Sequence, residues 1–445
     1  MTMRIALQGI CLILSVLGHP LAFAQNNNGN VAAIGGIRID AQGVVSTIAP
    51  LKESPAAAKK RQAAYRTSFL SEPLATLSES RRVSLVQLDE RLQALAKSGD
   101  EIPLDLRYLA GLTRIDYIVV DRENHDLAIV GPAEGFAPDL QGRMRGATSG
   151  RPVLNLEDLL VAWRAVESKN TSVSCSIDPT KEGIANFNAF ISQNLVAQPN
   201  TVGQLFESMA NKLGRQVISI HGVPKDTHFA VVLVEADLRM KRIALGKDPS
   251  QVKGVTSQLQ YQRTGGGTLS RWWFTPLYEP IQANADRSLY YLSGQRLQLL
   301  AQDEFTNAQG DRANAPLTKQ GSSKFVRQFT DQIPELAIAH PAFAELQNLF
   351  DWMVVCTLIR NHQLHDSIQW QPAVLGDASQ LATRVYPIPE GVDSVAMTNR
   401  MGRTVLGLVG GVELNAREVV ETTSTREIVP AHTLPVRHAS RTWND

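Results

Sequence analysis

A chain of 445 residues with a formal net charge of +1, 43% hydrophobic and 20% charged residues has the balance of a globular protein, long enough for two domains or one large domain with appendages. Charge this even leaves no electrostatic footprint for nucleic acid or an anionic membrane surface. Three cysteines, Cys11, Cys175 and Cys356, are too few for a disulfide framework and argue against a thiolate metal site.

Residues 1–24 have the form of a secretory signal peptide. Arg4 precedes an apolar run from Ile5 to Leu17, Gly18 and Pro20 break it, and Ala22-Phe23-Ala24 supplies a small-x-small cleavage site before Gln25. The apolar run is shorter than the roughly 20 residues that span a bilayer, so the segment reads as a cleaved export signal and not as an anchor. The mature chain then keeps Cys175 and Cys356, which can form one bridge or lie buried as small hydrophobes. No transmembrane segment is expected after cleavage. The most apolar later stretch, Trp352 to Ile359, is short, flanked by Asp351 and Arg360, and reads as a buried helix.

Residues 25–104 are expected to hold a polar leader, a β-hairpin over 35–48 around Asp40-Ala41-Gln42-Gly43, and a helical region over 55–97. Leu85, Leu88, Leu92 and Leu95 form one apolar stripe of that region, to be packed on the body or on a partner helix. GGVELNAREVV from Gly410 repeats the pattern of the leader hairpin. Chance, shared hairpin chemistry and two equivalent β-units all account for it.

The core is placed at residues 105–420. Strands flank the turn Glu123-Asn124-His125-Asp126, and a helix follows with Asn155 as its N-cap. VSCSIDPT reads as a strand, KEGIANFNAFISQN and TVGQLFESMANKLG as helices, and RQVISIH as a strand. Further on, RWWFTPLYEPIQ and SLYYLSGQRLQLLAQ read as strands, and a helical hairpin breaks at Pro341. RVYPIP and TVLGLVGGVEL return to strand. This order gives an α+β (or mixed α/β) fold, a mixed sheet covered by helices. From Glu421 to Asp445 periodicity is lost and disorder is expected.

The densest stretch is HGVPKDTHFAVVLVEADLRMKRIALG, residues 221–246. At about 100° per residue, His228, Glu235, Arg239 and Arg242 share one stripe while Asp237 and Lys241 lie opposite, with apolar flanks between. Two polar stripes and two apolar flanks describe a helix enclosed by other elements. Glu235 precedes Arg239, and Asp237 precedes Lys241, by the four residues that suit helical ion pairs. One reading is a braced core helix. The other makes His228 a base or anion contact beside Glu235 and Arg239.

His221, Asp226, Arg242 and Arg271 are further binding candidates. Asp226 or Thr227 also suits an N-cap, and Arg271-Trp272-Trp273-Phe274 reads as a strand with one face in the core and an Arg-on-Trp stack on the other. Neither a metal site nor a cofactor is indicated. No nucleophile elbow, HExxH, phosphate loop or dinucleotide fingerprint occurs.

The blocks AGLTRIDYIVVDRENHDLAIVGPAEGF, GRPVLNLEDLLVAWRAV, SCSIDPTKEGIANF, GVPKDTHFAVVLVEADLRMKRIALG, RWWFTPLYE and QFTDQIPELAIAHPAFAELQNLFDW together resemble a family of exported planctomycete proteins known only as a domain of unknown function. The resemblance spans about Asp105 to Arg360. It implies export from a bacterium and carries no activity, ligand or catalytic residue. The expectation is therefore an exported protein of the periplasm or cell surface that binds a small molecule or an envelope protein. The alternatives are a periplasmic hydrolase or transferase using the His228–Glu235–Arg239 stripe, and a self-assembling structural envelope protein.

Overall fold

The computed structural model describes residues 32–49, 51, 53–193, 202–261, 268–316, 320–394, 397–398, 404–405 and 408–435. The export signal read over residues 1–24 lies outside them. The fold is α+β, and the described residues form a ten-stranded sheet, a six-stranded sheet and two two-stranded ones.

Ten strands make the larger sheet, in the spatial order Ala32–Ile34, Ile37–Ile39, Val44–Thr47, Gly391–Asp393, Arg215–His221, Ser172–Pro179, Leu408–Asn415, Thr268–Leu277, Arg296–Thr306, Arg312–Asn314. Most neighbours are antiparallel, but Gly391–Asp393 runs parallel to Val44–Thr47, and Leu408–Asn415 runs parallel to Thr268–Leu277. Alternation sorts the residues: Cys175, Ile177, Ile218, Ile220, Trp272, Phe274 and Val412 turn inward and are buried. On the opposite face, Ile184, Phe187, Met209 and Leu213 of the helices Lys181–Gln193 and Val202–Leu213 gather around Val409.

The inner face carries the helix His228–Ala244, called here the central helix. A Pro224 turn leads into it, Thr227 caps it by accepting the Ala230 N–H, and Gly246, at φ +69°, follows its end. Every residue of this helix except His228 and Arg242 is buried, as two apolar flanks around two polar stripes require. Behind it lie the helix Leu156–Glu167, capped by Asn155 as expected, and the long helix Pro341–Asn361. The long helix has the length and composition of a membrane span, yet residues 342–359 of it are buried inside the protein.

A second sheet of six strands runs Ser424–Thr425, Gln282–Ala283, Leu289–Tyr291, Tyr117–Asp121, Asp126–Ala133, Ser78–Ser84. The Leu85–Ser98 helix packs on it. Leu85, Leu88 and Leu92 are fully buried there, each stabilising the fold by roughly 1.5–3 kcal/mol. Arg296, Tyr278 and the Ile115 N–H converge on Asp351 of the long helix and tie this sheet to the core.

Four expectations need correction. Residues 78–84, inside the expected helical region, are a strand, because Arg82 and Ser84 both reach the buried Asp126 across the sheet, at 2.6 and 2.5 Å. RVYPIP is not a strand; Pro387 and Pro389 lack the ladder N–H, and the strand is Gly391–Asp393. The repeated Gly-Gly pattern does not mark equivalent units. Gly35 and Gly36 form a turn, whereas Gly410 and Gly411 lie inside a strand and the segment after Asn415 is helix. At Gly410 (φ +108°) a side chain would collide with the Trp272 carbonyl, so glycine is needed for strand approach. Finally, the stretch after Glu421 is ordered in part: Ser424–Thr425 adds a strand beside Gln282–Ala283, and the Ala431 N–H donates to the Tyr117 hydroxyl.

Candidate functional site

The central helix brings its charged stripe into one continuous network, with partners that are mostly remote in sequence. Glu235 accepts the Gly36 N–H at 3.1 Å and pairs closely with Arg143. Arg143 also donates through Nε to Glu345 at 2.7 Å, so one guanidinium bridges two carboxylates. Arg239 is 3.9 Å from Glu235, too long for a hydrogen bond, and its close partner is Asp248 at 2.8 Å. Arg242 binds the same carboxylate through two donors, at 2.8 and 3.0 Å. The expected Glu235–Arg239 pair is therefore the weaker contact of each member.

His228 stands at the helix start, its side chain 16% exposed, with Nδ1 3.0 Å from Asp158 on the Leu156–Glu167 helix. Burial alone would lower its pKa; the Asp158 carboxylate outweighs burial and, helped by Glu345 and Glu157, pushes the imidazole up to about 9. At neutral pH it is an imidazolium, a poor proton acceptor. Glu345 is raised by burial, against the pull of Arg143 and His228.

The opposite stripe closes on itself. The Lys241 ammonium donates to Asp237, to the Ile177 carbonyl and to the Gly410 carbonyl, each at 2.9 Å. All three of its protons are used, and the helix is stitched to two neighbouring strands. Burial raises the Asp237 carboxyl to about 7, with Lys241 opposing.

The other candidates are scattered. His221 is exposed at a strand end, opposite Ser174. Asp226 uses its backbone carbonyl to accept the Tyr386 N–H, and Thr227 is the cap. Arg271 lies 4.8 Å over the Trp273 ring, while Trp272 and Phe274 face the core. Cys175 and Cys356 are free and buried, and burial raises both thiols. Among the described residues no group of three His, Cys, Asp or Glu side chains is placed to hold a metal ion.

Sequence reasoning missed Arg143, Asp158, Glu345, Asp248 and the Gly35-Gly36 turn. Asp248 was within reach, six residues beyond Arg242 in a polar loop. The others come from distant segments and leave no periodic signal.

A cleft of about 240 Å³ opens elsewhere, between the last turns of the central helix and the sheet. Leu238, Lys241, Arg242 and Leu245 form its helix side, and Val45, Ile177, Gln216 and Val392 its sheet side. His228, Glu235 and Arg239 do not line it.

Residues 175–258 match the model of a family described as a protein of unknown function, DUF1598. The chain thus carries a domain of unknown function, running from the Ser172–Pro179 strand through the central helix into the following loop. The match is narrower than the blocks spread from Asp105 to Arg360. No curated protein and no solved structure matches the chain.

Proposed function

We propose that this is an exported, non-enzymatic binding or assembly component of the bacterial periplasm or cell surface, with the charged central helix as its brace. The observation that carries this reading is that the stripe proposed for catalysis is committed to protein partners. Gly36 sits on Glu235, Arg143 spans Glu235 and Glu345, and Asp248 holds Arg239 and Arg242. His228, held as an imidazolium by Asp158, is unsuited to act as a base at neutral pH. Leu85, Leu88 and Leu92 of the apolar stripe are buried in the protein's own core and Leu95 packs partly against it, which disfavours self-assembly through that stripe. Export rests on the leader, and a planctomycete source on the resemblance of the sequence blocks.

Mature protein, its N-terminus sequenced to begin at Gln25, is incubated with a metabolite extract that is analysed by mass spectrometry before and after. A binder withdraws a component and returns it unchanged on denaturation. A new product whose formation His228→Gln abolishes would replace this reading with the enzymatic one.

A further inference from the structure

The cleft beside the central helix carries an inference that rests on the binding reading and goes beyond it. Three strands set Val45, Val392 and Gln216 side by side: Val392 pairs in register with Val45 on one side and with Gln216 on the other. All three line the cleft. Gln216 is the anomaly of this row. It is only 7% exposed, yet its side-chain amide makes no hydrogen bond among the described residues. The amide atoms keep access to the cleft, so this glutamine between valines offers a bound molecule a hydrogen bond there.

The rest of the cleft says what that group is attached to. Ile177, Leu238 and Leu245 make the walls apolar. Lys241 contributes only its aliphatic stem, because its ammonium is fully engaged. At the mouth the charge is uneven. Asp393 is matched by Arg215 at 3.3 Å, and Arg242 by Asp248, while Lys247 is exposed and makes no ion pair among the described residues. An apolar chamber with one amide donor and a spare cation at the rim complements a small aliphatic tail ending in an anion. The volume is below the roughly 300–1,000 Å³ of drug-sized sites, which limits the ligand to a short chain.

We propose that this cleft binds a short- to medium-chain aliphatic carboxylate, its chain against Ile177, Leu238 and Leu245 and its carboxylate accepting hydrogen bonds from the Gln216 amide and the Lys247 ammonium.

The test is calorimetric titration of the mature protein with sodium octanoate, and with octanol as the uncharged counterpart. One saturable site is expected for octanoate, with octanol binding on the order of tenfold or more weakly, since a hydrogen bond to a charged group is lost. Lys247→Glu, an exposed change that leaves the core untouched, should weaken octanoate by at least a similar factor. Gln216→Leu should do the same without lowering the melting temperature. Absence of saturable octanoate binding, equal binding of octanol, or affinity unmoved by both variants would overturn the proposal. The metabolite-extract experiment separates the two levels. If octanoate fails while an extract component is still retained unchanged, this assignment falls and the binding reading stands; if nothing is retained, both fall.

Discussion

The backbone N–H of Gly36 donates to Oε1 of Glu235 at 3.1 Å, across 199 positions of sequence. The turn of the N-terminal hairpin thereby sits on the charged stripe of the central helix. A Cβ at Gly36 would fall on that oxygen and come within 2.7 Å of Arg239 Nη2. Gly36→Ala should therefore lift the hairpin and cost about 1–3 kcal/mol, the usual range for overpacking. Urea unfolding of the variant checks this. Wild-type stability would mean that the turn only rests near Glu235.

His228 gives a pH signature of definite sign. Its folded pKa, about 9, lies above the usual 6.5, so protonation favours the folded state. The contribution is complete below about pH 6.5 and is lost as pH rises through about 9; the shift corresponds to roughly 3 kcal/mol. The difference in unfolding free energy between wild type and His228→Gln should be largest near pH 6 and shrink by pH 10. A difference that grows with pH would contradict the Asp158 pairing.

Much of this architecture could be read from the chain. The pattern of residues 228–244, polar on two stripes and apolar on two flanks, announced an enclosed helix, and the alternation around Trp272 and Trp273 divided core from surface correctly. Local chemistry explains these successes: caps, turns and periodicity are written in neighbouring residues. Glu235 shows where the reading ran out. Its i+4 neighbour Arg239 was the cation spaced for a helical pair, while Arg143 and the Gly36 amide arrive from other segments of the fold. The Ser78–Ser84 strand was hidden for the same reason, since its partner Asp126 lies in the facing strand. The cleft was illegible because Val45, Gln216 and Val392 meet only through sheet register.

Lys241 offers a sharper contrast between brace and site. Lys241→Met leaves Asp237 buried without its cation and should cost roughly 3–5 kcal/mol. Pairing it with Asp237→Leu should recover only part of that loss, because the Ile177 and Gly410 carbonyls still lack a donor. Thermal melts of the two variants test the ranking. Full recovery in the double variant would show that the two carbonyl contacts contribute nothing.

Cys175 and Cys356 should be silent in the native protein. Both are buried and their thiols are raised by burial, so the reactive thiolate is scarce. Iodoacetamide labelling read by mass is expected to modify neither thiol at neutral pH and both in denaturant. Rapid labelling of the folded protein would show that one is accessible.

The central claim, that the charged stripe holds the fold together, is tested most directly by the unfolding free energy of Arg143→Ala. Removing the guanidinium that bridges Glu235 and Glu345 strands two buried carboxylates. The predicted loss is roughly 3–5 kcal/mol, with the denaturant slope unchanged. A folded Arg143→Ala protein of wild-type stability that no longer retains its ligand would contradict the claim and make the stripe a binding site.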